Sequence, residues 1–185
     1  YTLSTINMDE PASLIVDAAG LSSLNTKAKE LDTTLVQKYL SDVLQSLVNN
    51  GYPFAQVGFK NVKVDSAEVE VDLMIKKQDY ISYDTINYTK ERVIARSFLS
   101  RYLDIRQGQP YDQSQILKVK KRINDLGFVK LSEDPYVSFI DRKAILRLPL
   151  EAQKSNSFDF VIGVLPSTEN GVRRWKINGE LKADF

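Results

Sequence analysis

The sequence contains no cysteine and no histidine among its 185 residues. Disulfides, a thiolate nucleophile, a Cys/His zinc cluster and an imidazole general base are thereby excluded. Excess charge of either sign is also missing: 25 Lys+Arg stand against 24 Asp+Glu, a formal +1. That balance gives no broad electrostatic hold on nucleic acid or an anionic membrane. No apolar run approaches the ~20 residues of a membrane-spanning helix. No secretory leader is visible, and Tyr1 in place of Met points to a processed chain or an excised fragment. A glycine-rich phosphate loop and a nucleophile motif are absent too. The expectation is therefore a protein that is not an enzyme and uses neither cofactor nor metal.

What is there describes an ordinary folded chain, 43% hydrophobic and 26% charged, long enough for one large or two small domains. TTLVQKYLSDVLQSLVNNGY is the clearest helix. Leu35, Val36, Tyr39, Leu40, Val43, Leu44, Leu47 and Val48 form one apolar stripe, Asp32 or Thr33 can cap its start, and Gly51 and Pro53 end it. Before it, YTLSTINM reads as a strand and PASLIVDAAGL as a helix with Pro11 in its first turn. After it, FAQVGFKNVKV and AEVEVDLMIKK form a hairpin turning at Asp65-Ser66, with Val69, Val71, Leu73 and Ile75 on the core face.

The same order then repeats. DYISYDTINYT is a strand, and ERVIARSFLSRYLDI a helix whose stripe is set by Ile94, Phe98 and Tyr102. RQGQPYD breaks it, and QSQILKVKKRINDLGF aligns Ile116, Val119, Ile123 and Leu126 on a second helix. VKLSEDPYVSFI and KAILRLPLEAQ make a hairpin with Ala144, Leu146, Leu148 and Leu150 inside. The predicted fold class is α+β: two tandem βααββ units over residues 1–78 and 79–153, each with two helices on a three-stranded sheet.

Past the polar joint KSNS, a third piece covers residues 154–185. A strand is expected over 158–165, a turn-rich loop over 165–171, and a strand in RRWKINGELKADF. There Trp175, Ile177, Gly179, Leu181, Ala183 and Phe185 alternate with polar residues. A transmembrane β-strand has this alternation over ~9–11 residues, with aromatics near the interfaces. A soluble sandwich strand has it as well. A hairpin that no helix covers favours the membrane strand, with Trp175, Ile177, Leu181 and Phe185 as its candidate residues.

Few other features point to chemistry. The basic run KVKKR lies on a helix and reads most simply as its solvated face. A KH-type RNA clamp needs a GXXG loop, and RQGQPYD offers one glycine. Glu68/Glu70 and Glu133-Asp134 read as solubilising groups. More informative are the first hairpin strands, 54–62 and 128–140, each expected at the edge of its sheet. An edge offers unpaired backbone N–H and C=O groups that an extended peptide can join. The candidate edge residues are Phe54, Gln56, Val57, Phe59, Tyr136, Val137 and Phe139.

RSFLSRYLDIRQGQPYDQSQILKVKKRINDLGF, with its Gly108…Pro110-Tyr111 turn and Leu126-Gly127-Phe128 helix exit, resembles a POTRA domain of the BamA/TamA superfamily of outer-membrane β-barrel proteins. NGYPFAQV repeats the helix exit in the first unit. SFDFVIGVLPSTENG resembles the entry into the barrel. The resemblance implies an outer-membrane protein with residues 1–153 in the periplasm. Its partners would be unfolded or nascent outer-membrane proteins, periplasmic or lipoprotein accessory subunits, and outer-membrane lipid through the barrel. Its function would be to assemble or insert β-barrel proteins. A secretion pore of the two-partner type for one cognate substrate, or a soluble periplasmic scaffold, are the alternatives. Whether the units are docked or hinged near Gln78 stays open at this level.

Overall fold

A computed structural model describes residues 2–22, 29–30, 32–88, 94–153, 158–169 and 172–183. The chain opens with β1 (Thr2–Asn7), α1 (Glu10–Ala18), β2 (Lys29–Glu30) and α2 (Thr33–Val48). A long hairpin of β3 (Gln56–Asp65) and β4 (Glu68–Lys76) follows. Helix α1 starts where Asp9 accepts from the Ala12 N–H and Pro11 occupies the first turn, a position where a missing N–H costs nothing. Asp32 caps α2 through the Thr34 N–H. The sheet order is β2-β1-β4-β3, with β1 parallel to β4 and the other pairs antiparallel. Val69, Val71 and Leu73 of β4 meet Val16 of α1 and Tyr39 and Val43 of α2 in one core.

The next stretch repeats this order: β5 (Ser82–Tyr88), α3 (Arg96–Leu103), α4 (Gln113–Asn124), β6 (Val129–Leu131), β7 (Tyr136–Ile140), β8 (Lys143–Leu148) and β9 (Leu150–Ala152). The sheet order is β5-β8-β7, again with the first strand parallel to the last and the hairpin strand outermost. A second core gathers Tyr83, Leu99, Leu103, Val119, Ile123 and the alternate residues Ala144, Leu146, Leu148 and Leu150. The inner row read from the alternation is all buried.

Several expectations change. The connection between α1 and α2 supplies β2, so the first sheet has four strands rather than three. The strand expected over 128–140 is two strands: β6 pairs with β9, and β7 with β8. Pro135 and Pro149 stand at the two breaks, since a proline cannot donate to a ladder. The Ser132 N–H donates to the Pro149 carbonyl across them. Helix α3 begins only at Arg96, and its inward face is Leu99 and Leu103; Phe98 is exposed and stacks on Tyr102 instead.

The last piece is a two-stranded antiparallel hairpin, β10 (Phe158–Glu169) and β11 (Val172–Ala183). The loop expected over 165–171 is mostly strand, because Leu165 to Glu169 continue the ladder to a Glu169↔Val172 pair. Trp175 lies opposite Pro166, Ile177 opposite Val164, and Leu181 opposite Phe160. The register thus pairs the row Phe158, Phe160, Ile162 and Val164 of β10 with the row Ile177, Gly179, Leu181 and Ala183 of β11. Phe185 falls outside the described residues.

Candidate interaction edges

In both core sheets one edge is closed by the connection between the two helices, and the other is left to a hairpin strand. In the first, β2 pairs along β1. In the second, the RQGQPYD loop does the same for β5. The Tyr83 N–H donates to the Gln109 carbonyl (2.8 Å), and the Gly108 N–H donates to the Tyr83 carbonyl (2.8 Å). Gly108, at φ +84°, supplies a backbone conformation that a side chain would resist. Below the loop the Tyr83 hydroxyl donates to the Asp112 carbonyl (3.0 Å) and accepts from the Asp112 N–H (3.2 Å). Burial pushes the Tyr83 hydroxyl pKa well above its usual value, and burial together with the Asp112 charge raises Tyr111 to about 12. Both phenols stay neutral and act as hydrogen-bonding struts.

The hairpin strands left at the far edges, opposite β2 and β5, are β3 and β7. An edge strand turns one row of backbone groups away from its only partner, the raw material of strand addition. The candidate side chains divide between roles. Gln56 opens β3 and is exposed, as is Tyr136 on β7. Val57 and Phe59 pack on the first core and Val137 on the second, so they hold the edges in place rather than meet a partner. Phe54 is not on a strand; it lies in the turn before β3.

Strand β3 is interrupted by a bulge between Lys60 and Lys63, where Asn61 has φ 51°. Asn61 donates its side-chain amide to Asp72 (2.7 Å), and Asn7 donates to the other carboxylate oxygen (3.2 Å). These bonds, Asn61 first, hold the Asp72 carboxyl below the usual carboxylate range. Uninterrupted edge on β3 therefore runs only from Gln56 to Lys60.

The stretch NNGYPF, read from sequence as a helix stop, also joins the two cores. The Gly51 N–H donates to the Tyr111 carbonyl (2.9 Å), and the Ile81 N–H donates to the Gly51 carbonyl (2.7 Å). The Asn49 side chain accepts from the Ser114 N–H at the start of α4 (3.2 Å). Val48 packs against the second core. Tyr52 meets Tyr80 edge to face at 5.4 Å, and Phe54 meets Phe139 at 5.0 Å; Phe139 in turn meets Tyr111 at 5.3 Å. The two halves are docked through this joint. The only signal for it in the sequence is a cluster of aromatics around a glycine, which has no period to read.

No protein-family model matches the chain, and no curated protein matches it. Among solved structures it is similar to BamA from Haemophilus ducreyi lacking POTRA domains 1-3, with a TM-score of 0.64 and 18% identity over 90% of this chain. It is also similar to POTRA3-5 of BamA from Haemophilus influenzae, with a TM-score of 0.52 and 13% identity over 80% of this chain. The chain has the POTRA fold. It spans 32% of the first of those structures and 61% of the second.

Within this POTRA fold the basic run divides as well. Arg122 donates to the carbonyls of Tyr102 (3.3 Å) and Leu103 (2.9 Å), closing the C-terminus of α3, while the Tyr102 hydroxyl donates back to the Arg122 carbonyl (2.9 Å). Lys120 pairs with Asp134 at 2.5 Å on the surface. Glu68 and Glu70 lie exposed on the solvent side of β4. Among the described residues there is no group of acidic side chains that could hold a metal ion.

Proposed function

We propose that the chain is the periplasmic and barrel-entry region of an outer-membrane protein that assembles or inserts β-barrel proteins. In this reading residues 1–78 and 79–153 are two POTRA units, and residues 154–185 begin the barrel, with Trp175, Ile177 and Leu181 in an early strand. Client polypeptide is held in extended form by strand addition to β3 or β7, through backbone groups that tolerate many sequences. Catalysis, cofactor and metal play no part.

The observation that carries this reading is the asymmetry of the edges. In each sheet a helix–helix connection closes the first strand, and the hairpin strand is left outermost. The POTRA fold and an apolar row along β10 and β11 support the outer-membrane setting. An antibody to this chain, applied to fractionated native membranes with and without heating, tests the reading. A larger outer-membrane band whose gel mobility shifts on heating is expected. A soluble band near 21 kDa would leave a periplasmic scaffold instead.

A further inference from the structure

The two open edges meet at one corner. Phe54 stands just ahead of Gln56, where β3 begins, and Phe139 is the penultimate residue of β7; their rings are 5.0 Å apart. Strand β7 therefore runs toward the corner and β3 runs away from it. A polypeptide lying antiparallel to β3 from Lys60 back to Gln56 arrives at the C-terminal end of β7. Continuing without reversal, it is antiparallel to β7 also. Had β7 pointed the other way, the same segment would have to change from antiparallel to parallel pairing. Both rings at the corner are partly open, Phe54 48% and Phe139 37% exposed, and offer an aromatic contact to whatever crosses it.

The charges along the path are uneven. Within the uninterrupted edge from Gln56 to Lys60 strand β3 carries one charge, Lys60, opposite Asp72 of β4, with Lys63 just past the bulge, whereas β7, YVSFI, is uncharged.

We propose, on the strand-addition reading above, that β3 and β7 act as one composite site for a single extended segment. That segment has an acidic N-terminal half on β3, an aromatic residue at the Phe54/Phe139 corner, and a neutral C-terminal half on β7. At ~3.3 Å per residue, five residues on each edge and a few across the corner make a segment of about 13 residues. The bulge at Asn61 sets its N-terminal limit. The docked joint is what makes the site composite, because it holds Phe54, just ahead of β3, against Phe139 near the end of β7.

The test uses the isotope-labelled 185-residue chain and a synthetic peptide of about 14 residues. The peptide alternates Val with Glu in its first half, has Phe at the centre, and alternates Val with Thr in its second half. A nitroxide is placed at one end or the other. One bound peptide per chain is expected, with the N-terminal label broadening amides near Lys60 and the C-terminal label broadening amides near Tyr136. Labels at both ends broadening both edges alike, or two peptides per chain, would mean independent edges and overturn the composite site. Broadening confined to one edge overturns it too, while leaving strand addition intact. Broadening at neither edge sinks both. As a second measure, Phe54→Ala should weaken the peptide roughly five- to tenfold and leave a version with central Ala unaffected. Equal losses for the two peptides would remove the aromatic corner from the proposal.

Discussion

Gly51→Ala bears most directly on the joint. Gly51 is buried with φ +92°, and a Cβ there would sit 2.4 and 2.8 Å from Tyr80 ring carbons and 3.2 Å from the Ile81 carbonyl oxygen. The backbone conformation alone costs an L-residue about 1–2 kcal/mol. Tyr80 is 45% exposed and can swing aside, giving up its edge contact with Tyr52, about 0.5–1.5 kcal/mol. The Ile81 carbonyl belongs to the backbone and must give by a few tenths of an ångström. If it gives enough to loosen the Gly51–Tyr111 and Ile81–Gly51 bonds, about 1 kcal/mol is lost for each. The expected total is about 1.5–5.5 kcal/mol, depending on whether those bonds loosen.

Because the two cores are separate clusters, the chain can relieve this strain by undocking rather than unfolding. Residual dipolar couplings should fit one alignment tensor across both halves in the native chain and need two in Gly51→Ala. Urea unfolding should change from a shared transition to two. Asn50→Ala is the control: the Asn50 side chain donates to the Ser46 carbonyl at the surface (2.7 Å), and its loss should change stability by no more than about 0.5 kcal/mol. A Gly51→Ala chain with an unchanged urea midpoint and a single tensor would refute the account of the joint.

Three other outcomes follow from particular side chains. Tyr39 lies in the first core with no hydrogen-bond partner for its hydroxyl among the described residues, so Tyr39→Phe should be neutral or raise stability by up to about 1 kcal/mol in urea titration. Asp72 has a depressed pKa, so its contribution is full above the unfolded carboxylate value and fades as pH falls through the folded one. The gap in urea midpoint between the native chain and Asp72→Asn should therefore close on acidification, and a gap independent of pH would contradict it. Arg122→Met removes the donor that closes α3 and should cost about 1–2 kcal/mol in urea unfolding, with the chain still folded.

Periodicity made much of this fold legible. Val69, Val71 and Leu73 on one strand and Ala144, Leu146 and Leu148 on another alternate cleanly because one face of each sheet lies on helices. The errors arose where a local signal was overridden or two readings competed. Ser, Thr and Pro in LPSTE suggest a loop, yet the pairing to VRRWK carries them as strand. In ERVIARSFLSRYL the positions Phe98/Tyr102 and Leu99/Leu103 both satisfy a spacing of four, and packing chose the aliphatic pair. Of the edge candidates, Gln56, Val57, Phe59, Tyr136, Val137 and Phe139 lie on the outermost strands and Phe54 does not. The joint was invisible, since Gly51 meets Tyr111 and Ile81 through backbone groups that carry no pattern.

The protection of the two edges is itself selective. A long open edge invites uncontrolled pairing, and proteins blunt such edges with bulges, lysines, prolines or short strands. Strand β3 has a bulge and Lys63 beyond Lys60, but neither proline nor bulge from Gln56 to Lys60. Strand β7 is kept to five residues, with Pro135 immediately before it. On β7 the proline, and on β3 the bulge, stand at the end far from the Phe54/Phe139 contact, while Pro53 lies beside Phe54 ahead of the paired residues of β3. The exposed backbone near that contact is thus the part left unguarded in both sheets. A general defence against aggregation would cover it first, because it is flanked by half-open aromatic rings. An unguarded stretch on each strand is what strand addition requires, and two such strands pointing the same way past one corner are what a composite site adds to it.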